Sequence, residues 1–463
     1  VAYTHGLFNI LASHIIEYGI FNQCGNAGLI EGNEAWSYAG CWVYPTTWWN
    51  PGAWALVPFH VLDINPIVSS RFVLLILHAA IMWQFGALVS IWYGRISGVL
   101  SMVFYALTMQ TLYYGEIYSF QNPEILFCLI MIRAWTPMLK GGEFEGKDKI
   151  LAFSMLVIGP MVFGSIPTIM GATIMCTGLF FKRGNPKIFL TALVVCLISG
   201  IVSLATWTIA VDYYWESFGG SEVMLFEKAK YRSSSGAFVW DLDFYLITAE
   251  RMATLLGVPI ICGVIVCFER MYSEIRGMEV NSEHWGFGVV AISGPFLVVQ
   301  LQQMVMFPQS IWQHDYLNVL WLLIPGALGI SVLISKLEWK KILGILLLTT
   351  TIASVEFSTM LEDEWREYNP HHHEVQIWMW ENIDESDVVL ISGDLYADEH
   401  YTGFLAGSDV LTRPVNDTSE YTGQWLESEG VDIIIINLES TDYWPIADRL
   451  VPDEGWCESM SSE

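Results

Sequence analysis

The sequence predicts an α-helical polytopic membrane protein of about ten spans that ends in a water-soluble α/β domain. Three observations predict it. First, 53% of the 463 residues are hydrophobic and 15% are charged, where ordinary globular chains carry about 25% charged residues; mean hydropathy is +0.43. Second, the net charge of −27 is unevenly spread: residues 362–463 hold 25 Asp and Glu against 3 Lys and Arg, and the first 361 residues hold 23 against 18. Two materials meet near Leu361, a lipid-soluble body and an acidic tail. Third, the basic residues of the body recur in every second connection between apolar runs.

Crossing about 30 Å of hydrocarbon takes about 20 apolar residues in a helix. Runs that meet this need lie near 71–94, 97–115, 122–139, 150–164, 167–181, 187–212, 240–268, 286–304, 316–335 and 342–360. The fourth and fifth are short. Gly164-Ser165-Ile166-Pro167 supplies a tight turn between them, so they read as a hairpin, with one long bent helix as the alternative. Val1 is not Met, and one further membrane helix is expected upstream of it.

Lys and Arg concentrate in short loops on the cytoplasmic side. Alternating the loops puts Arg95, Arg133, Lys140, Lys147, Lys149, Lys182, Arg183, Lys187, Arg270, Arg276, Lys336, Lys340 and Lys341 on one face, 13 of the 21 basic residues. The other face receives 1–70, 115–121, 213–239, 305–315 and everything after 361. This places the chain in the plasma membrane with its tail domain extracytoplasmic. The domains are then 1–361, a membrane domain whose external first loop is 1–70, and 362–463, the acidic α/β domain.

Within the first loop, His5 to Phe21 reads as an amphipathic helix, with Leu7, Ile10, Leu11, Ile15 and Ile16 near helical spacing. The Trp and Tyr residues that follow suit headgroup depth. In the tail, Val388–Ser392 and 431–437 are continuous apolar runs of the kind that form buried parallel strands, and 421–429 reads as helix. Cys128, Cys176, Cys196, Cys262 and Cys267 lie in apolar runs and read as small buried hydrophobes. Cys24 and Cys41 leave a disulfide in the first loop open. Asn416-Asp417-Thr418 fits an N-glycosylation acceptor, a triplet that is common by chance. No basic patch exists to neutralise phosphodiester backbones, which excludes nucleic acid as a partner.

Three stretches carry a resemblance. The first is Thr4 to Gly19, ending in Glu17-Tyr18-Gly19, followed by Tyr44-Pro45-Thr46-Thr47-Trp48-Trp49-Asn50-Pro51-Gly52. The second is Tyr113-Tyr114-Gly115-Glu116, running to Asn122-Pro123-Glu124. The third is His314-Asp315-Tyr316 through Pro325. In order and spacing they resemble the lipid-linked-sugar-dependent glycosyltransferases of the multi-spanning GT-C fold, relatives of protein O-mannosyltransferases and of the lipid A aminoarabinose transferase. That family commonly has an acidic pair opening an amphipathic helix that ends in Glu-x-Gly. A His-Pro-Pro-Leu-Tyr-like turn follows, then an external loop closed by Pro-Asp, and a late loop with a basic residue, Tyr and Pro. The resemblance implies inverting transfer of a sugar from a polyprenyl-phosphate donor to a protein, lipid or glycan acceptor, among membrane lipids at the external face. One departure stands out: the leading carboxylate falls near Thr4-His5, where this chain has no acid. His5 takes its place, or Glu17 or another acid does, or the activity is lost.

Such a reaction needs a base for the acceptor proton and donors for the phosphate leaving group. Glu124, behind Pro123 at the head of a span, is the first catalytic candidate, because ionisable groups at spans are costly and often functional. A plain N-terminal helix carboxylate is the bland reading. Glu116 in the same loop is a second candidate, with a solvated loop charge as its alternative. His5, with a reference pKa of about 6.5, is a third, with a cap-region residue as the alternative. Lys228, Lys230 and Arg232 form a cluster on the base-poor face that would cradle phosphate or pair with Glu222 and Glu227. Arg251 lies inside a span and needs Glu250 or a bound phosphate. His314, Asp315 and Tyr316 head the 316–335 run as substrate-binding candidates or interfacial anchors.

His371-His372-His373 is a poor metal site, because adjacent residues cannot aim three imidazoles at one ion; no other metal spacing appears. No motif implies a cofactor, and a divalent metal stays open. Trp48-Trp49-Asn50 is similar to the Trp-Trp-Asp motif of oligosaccharyltransferases, but it lacks the Asp and lies at the other end of the chain, a coincidence. The rival reading is a transporter, a scaffold or a degenerate family member; the sequence shows no internal repeat of the kind transporters carry.

Overall fold

The computed structural model describes Asn9, Ala12, Ile15, Ile16, residues 51–62, 64–113, 121–144, 146–217, 242–277, 286–306 and 319–367. In the tail it describes Trp378, Asn382, Ile383, 387–392, 409–413 and 432–435. The chain divides into two compact units, one of residues 44–55 and 71–364, the other of 1–43, 56–70 and 365–463.

The body is helical. In chain order it contains α1 (Pro51–Val61), α2 (Pro66–Tyr93), α3 (Arg95–Ala106), α4 (Met109–Tyr113), α5 (Gln121–Leu139) and α6 (Gly146–Phe163). After these come α7 (Ser165–Phe180), α8 (Pro186–Ser217), α9 (Leu242–Ile275), α10 (Gly288–Met306), α11 (Leu323–Ile334) and α12 (Trp339–Glu367). Among the described residues, five helical segments are long and apolar enough to cross a membrane: Val68–Tyr93, Pro186–Thr206, Tyr245–Ile275, Gly288–Met306 and Trp339–Thr359. Large apolar side chains cover their outer faces, among them Trp83, Ile201, Ile265 and Leu347. That distribution suits lipid as the surrounding medium, where every backbone polar group must be satisfied inside the helix.

Two predicted runs differ in detail. The run at 97–115 breaks after Ala106, because Thr108 Oγ1 accepts the backbone N–H of Thr111 at 3.2 Å and so caps a new helix, α4. The run at 240–268 extends to Ile275 and is interrupted at Gly257, with φ 69° and ψ 160°. The hairpin reading holds for α6 and α7. Gly164, with φ 80°, reverses the chain. Ser203 on α8 donates to Pro160 O of α6 at 2.6 Å, and Cys196 donates to Thr168 O of α7 at 3.4 Å. Ile150 shares a groove with Ile188, whereas Gly178 meets Phe189. So α6 runs parallel to α8, and α7 runs back along it.

The core lies around α10, whose first half is buried throughout. The tightest crossing joins α9 and α11. A Cβ at Gly263 would collide with Gly326 O, and one at Gly329 would collide with Gly263 O. Lipid offers no hydrophobic drive between helices, so small residues that let backbones touch supply the attraction. Beside this seam Cys267 Sγ donates to Pro325 O at 3.1 Å, and Ser293 Oγ lies 3.5 Å from the same sulfur, linking α9, α10 and α11. Cys128, Cys196 and Cys267 are buried as predicted; Cys176 and Cys262 instead sit on the outer, apolar surface, and all five are free.

The basic turns gather at one end of this unit. Arg183 stacks over Phe287 at 4.4 Å and lies 4.0 Å from Glu274. Trp92 and Phe181 both pack edge-on to Phe287. Lys140 donates to Ile91 O at 3.2 Å and sits over the Trp92 ring. Turns from four separate connections are thereby tied together.

Among the described residues of the tail, three parallel strands, β1 (Val388–Ser392), β2 (Asp409–Arg413) and β3 (Ile433–Ile435), form a sheet of order β2-β1-β3. Val389 pairs with both Val410 and Ile433. The sequence predicts β1 and β3; β2 was not among the predicted strands.

Candidate functional site

At the end of the 71–364 unit opposite the gathered basic turns, α4 and α5 flank the connection 114–120. Asn122 and Pro123 open α5, and Glu124 stands in its first turn. Glu124 is 1% exposed, Gln121 4% and Gln110, on α4, 5%. Among the described residues, Glu124 Oε2, Gln121 Oε1 and Gln110 Oε1 are buried with no hydrogen-bond partner. Buried polar atoms are nearly always paired, so each exception calls for an explanation. Gln121 and Glu124 are three residues apart and share a helix face. Acceptor oxygens that the described protein does not use thus stand on both α4 and α5.

A cavity adjoins the same end. It lies between the end of α3, α4, the Gly257 break of α9 and the outer half of α12, and its volume of about 20 Å³ holds one water molecule. Phe104 and Met109 line it on one side; Thr349, Ala353 and Glu356 line it on the other. Thr349, Ile352, Ala353 and Glu356 follow helical spacing, so one stripe of α12 faces the break. Pro259 has no N–H to offer the carbonyl of Leu255. A broken helix beside an intramembrane carboxylate is the arrangement in which backbone and side-chain oxygens meet a small polar guest. The Glu356 carboxylate makes no ion pair or hydrogen bond among the described residues. Met109 lines the cavity and Gln110 follows it on α4, so the cavity and the unpaired amide flank one short helix.

A third polar cluster belongs to the other unit. Asn9 Nδ2 donates to Ser70 Oγ at 2.7 Å and to Pro66 O at 3.3 Å, and Ser70 Oγ donates to Pro66 O at 2.8 Å. With the Asn9 amide nitrogen so used, its Oδ1 can only accept, and it lies 2.8 Å from His60 Nε2. His60 therefore carries its proton on Nε2 and keeps the Nδ1 lone pair. Burial pushes the His60 imidazole below its ordinary value of 6.5.

Of the sequence-predicted site residues, Glu124 and Arg251 are described. Arg251 is half-buried on α9, before the Gly257 break, and is partnered. His5, Glu116, Lys228, Lys230, Arg232, His314, Asp315 and Tyr316 lie outside the described residues, as do Cys24, Cys41, the His371–His373 run and Asn416. Sequence reasoning missed Glu356, Gln110 and Gln121. The signal for Glu356 was present: Thr349 and Glu356, seven apart in an otherwise apolar run, fall on one face. Among the described residues no group of three His, Cys, Asp or Glu could hold a metal ion.

Comparison with protein-family models finds no match, and comparison with curated proteins finds none either. Among solved structures, the chain is similar to the crystal structure of the Archaeoglobus fulgidus oligosaccharyltransferase in complex with zinc and sulfate, with a TM-score of 0.49 and 12% identity. The match covers 89% of this chain and 58% of that one, so the chain spans a little over half the length of that transferase.

Proposed function

We propose that this chain is a membrane glycosyltransferase. It transfers a sugar from a polyprenyl-phosphate carrier to a protein, lipid or glycan acceptor at the external face of the plasma membrane, with the acidic tail domain on that side. The observation that carries the reading is the buried Glu124 carboxylate, unpartnered among the described residues and set at the end opposite the lysine- and arginine-bearing turns. It stands in the segment Asn122-Pro123-Glu124, which resembles the family's second external loop.

In this reading Glu124 takes the acceptor hydroxyl proton as the acceptor oxygen bonds to the anomeric carbon. The bond from that carbon to the phosphate oxygen breaks, and the polyprenyl phosphate leaves with the electron pair. His5 and Glu116 are the further acid/base candidates. Lys228, Lys230, Arg232 and His314 would meet the developing phosphate charge, and Arg251, Asp315 and Tyr316 would complete donor and substrate binding. The test is transfer of radiolabel from a polyprenyl-phosphate sugar by the purified chain in lipid, with Glu124→Gln alongside. Loss of transfer is expected; undiminished transfer removes Glu124 from the mechanism.

One observation favours a second reading. The Gly257 break beside Glu356 has the character of an ion-coupling site in a transporter. Ion flux in sealed vesicles, sensitive to Glu356→Gln and indifferent to Glu124→Gln, would select it.

A further inference from the structure

At the basic end, α6 and α8 begin side by side, and between their first turns lies a groove of about 410 Å³. Its mouth carries Lys149 and Lys187; its floor is Ile150, Phe153 and Ile188, with Thr191 at the margin. Neither lysine has a carboxylate partner among the described residues. Asp148, the neighbouring acid, is one residue from Lys149 and so points to a different side of the helix. Both helices direct their positive N-terminal dipole toward the mouth. Away from the mouth the surface of the two helices is mostly apolar, with Ser154 as the polar residue of the α6 stripe. Ile150 is 70% exposed, and Val157 continues its stripe down α6, while Val194 and Ile198 continue that of Thr191 down α8.

We propose that this groove binds one anionic phospholipid, its phosphate held by Lys149 and Lys187 and one acyl chain laid along Ile150 and Val157 of α6 and Val194 and Ile198 of α8. The two-part lining selects the ligand. A soluble phosphate would use the lysines and leave the apolar floor empty; a zwitterionic lipid would fill the floor and bring its own cation to the lysines. A phosphate-bearing lipid without a compensating cation matches both. The chain as a whole carries −27, so this attraction is local and acts over about one Debye length. The site is independent of the glycosyl-transfer reading.

The test uses the purified full chain in a zwitterionic detergent. Phosphatidylglycerol, phosphatidylcholine or inorganic phosphate is titrated in, with the thermal midpoint and the lipid count by native mass spectrometry as readouts. One phosphatidylglycerol per chain should be retained and should raise the midpoint, and neither phosphatidylcholine nor phosphate should match it. Lys149→Gln/Lys187→Gln should weaken the retention at least tenfold. Lys149→Arg/Lys187→Arg and Lys340→Gln/Lys341→Gln should keep it. Unchanged retention in Lys149→Gln/Lys187→Gln, equal binding of phosphatidylcholine, or full stabilisation by phosphate alone would each overturn the proposal.

Discussion

His60 Nε2 lies 2.8 Å from Asn9 Oδ1, across 51 residues of sequence. The bond fixes the imidazole tautomer and ties the helical turn at Asn9 to α1. Because burial depresses the folded-state pKa of His60, the unfolded chain binds the proton more tightly. Stability attributable to His60 is therefore whole above about pH 6.5 and falls as pH drops toward the folded value. A thermal midpoint that declines between pH 7.5 and 5.5 in the parent, and declines less in His60→Gln, is the expected result.

Gly257 is held at φ 69° and ψ 160°, a region open essentially to glycine. Space is not the constraint there, since an added Cβ would meet its nearest atoms, Glu356 Oε2 and Pro259 Cδ, at 3.9 Å. Gly257→Ala should cost about 1–3 kcal/mol through the backbone alone. Reversible unfolding in mixed micelles measures it, and a neutral outcome would mean that the break does not persist in the membrane.

The α9–α11 seam is the opposite case. At Gly263 the φ is ordinary but a Cβ would strike the Gly326 carbonyl. Gly263→Val should lower stability by about 1–3 kcal/mol or more, as overpacking does. The same substitution at Gly344, where nothing stands within 4 Å, should be nearly silent.

Removing the Glu124 carboxylate by Glu124→Gln should reduce sugar transfer by about 10²-fold or more, the usual contribution of a general base. The buried volume barely changes, so folding should survive. The pH–rate profile of the parent should show an ionisation that the variant lacks.

The helices were legible because lipid imposes a simple demand, about 20 apolar residues in sequence, and runs such as 187–212 and 286–304 meet it without ambiguity. Gly164 was legible as a turn because Pro167 and short flanking runs announced it. Gly257 was not, since Leu255-Leu256-Gly257-Val258-Pro259 is apolar on both sides and a proline in a membrane run ordinarily marks a kink, not a break. Strand β2 was missed because Asp409 and Arg413 bracket only three residues between them, too few to show a period. At the site, Glu124 could be found from its position behind Pro123. Glu356 passed as one charge in a long run, because the sequence does not say which face of α12 meets another helix.

Gly263 and Gly257 are six residues apart on one helix, about 9 Å along the axis. Below, backbone contact with α11 makes α9 a fixed stem: the Gly326 carbonyl stands against Gly263, and the Gly263 carbonyl stands against Gly329. Above, the run of helical φ/ψ is interrupted at Gly257. The stretch from Leu242 to Leu256 thus takes its direction from the backbone at Gly257, not from the stem that the Cys267–Pro325 link holds.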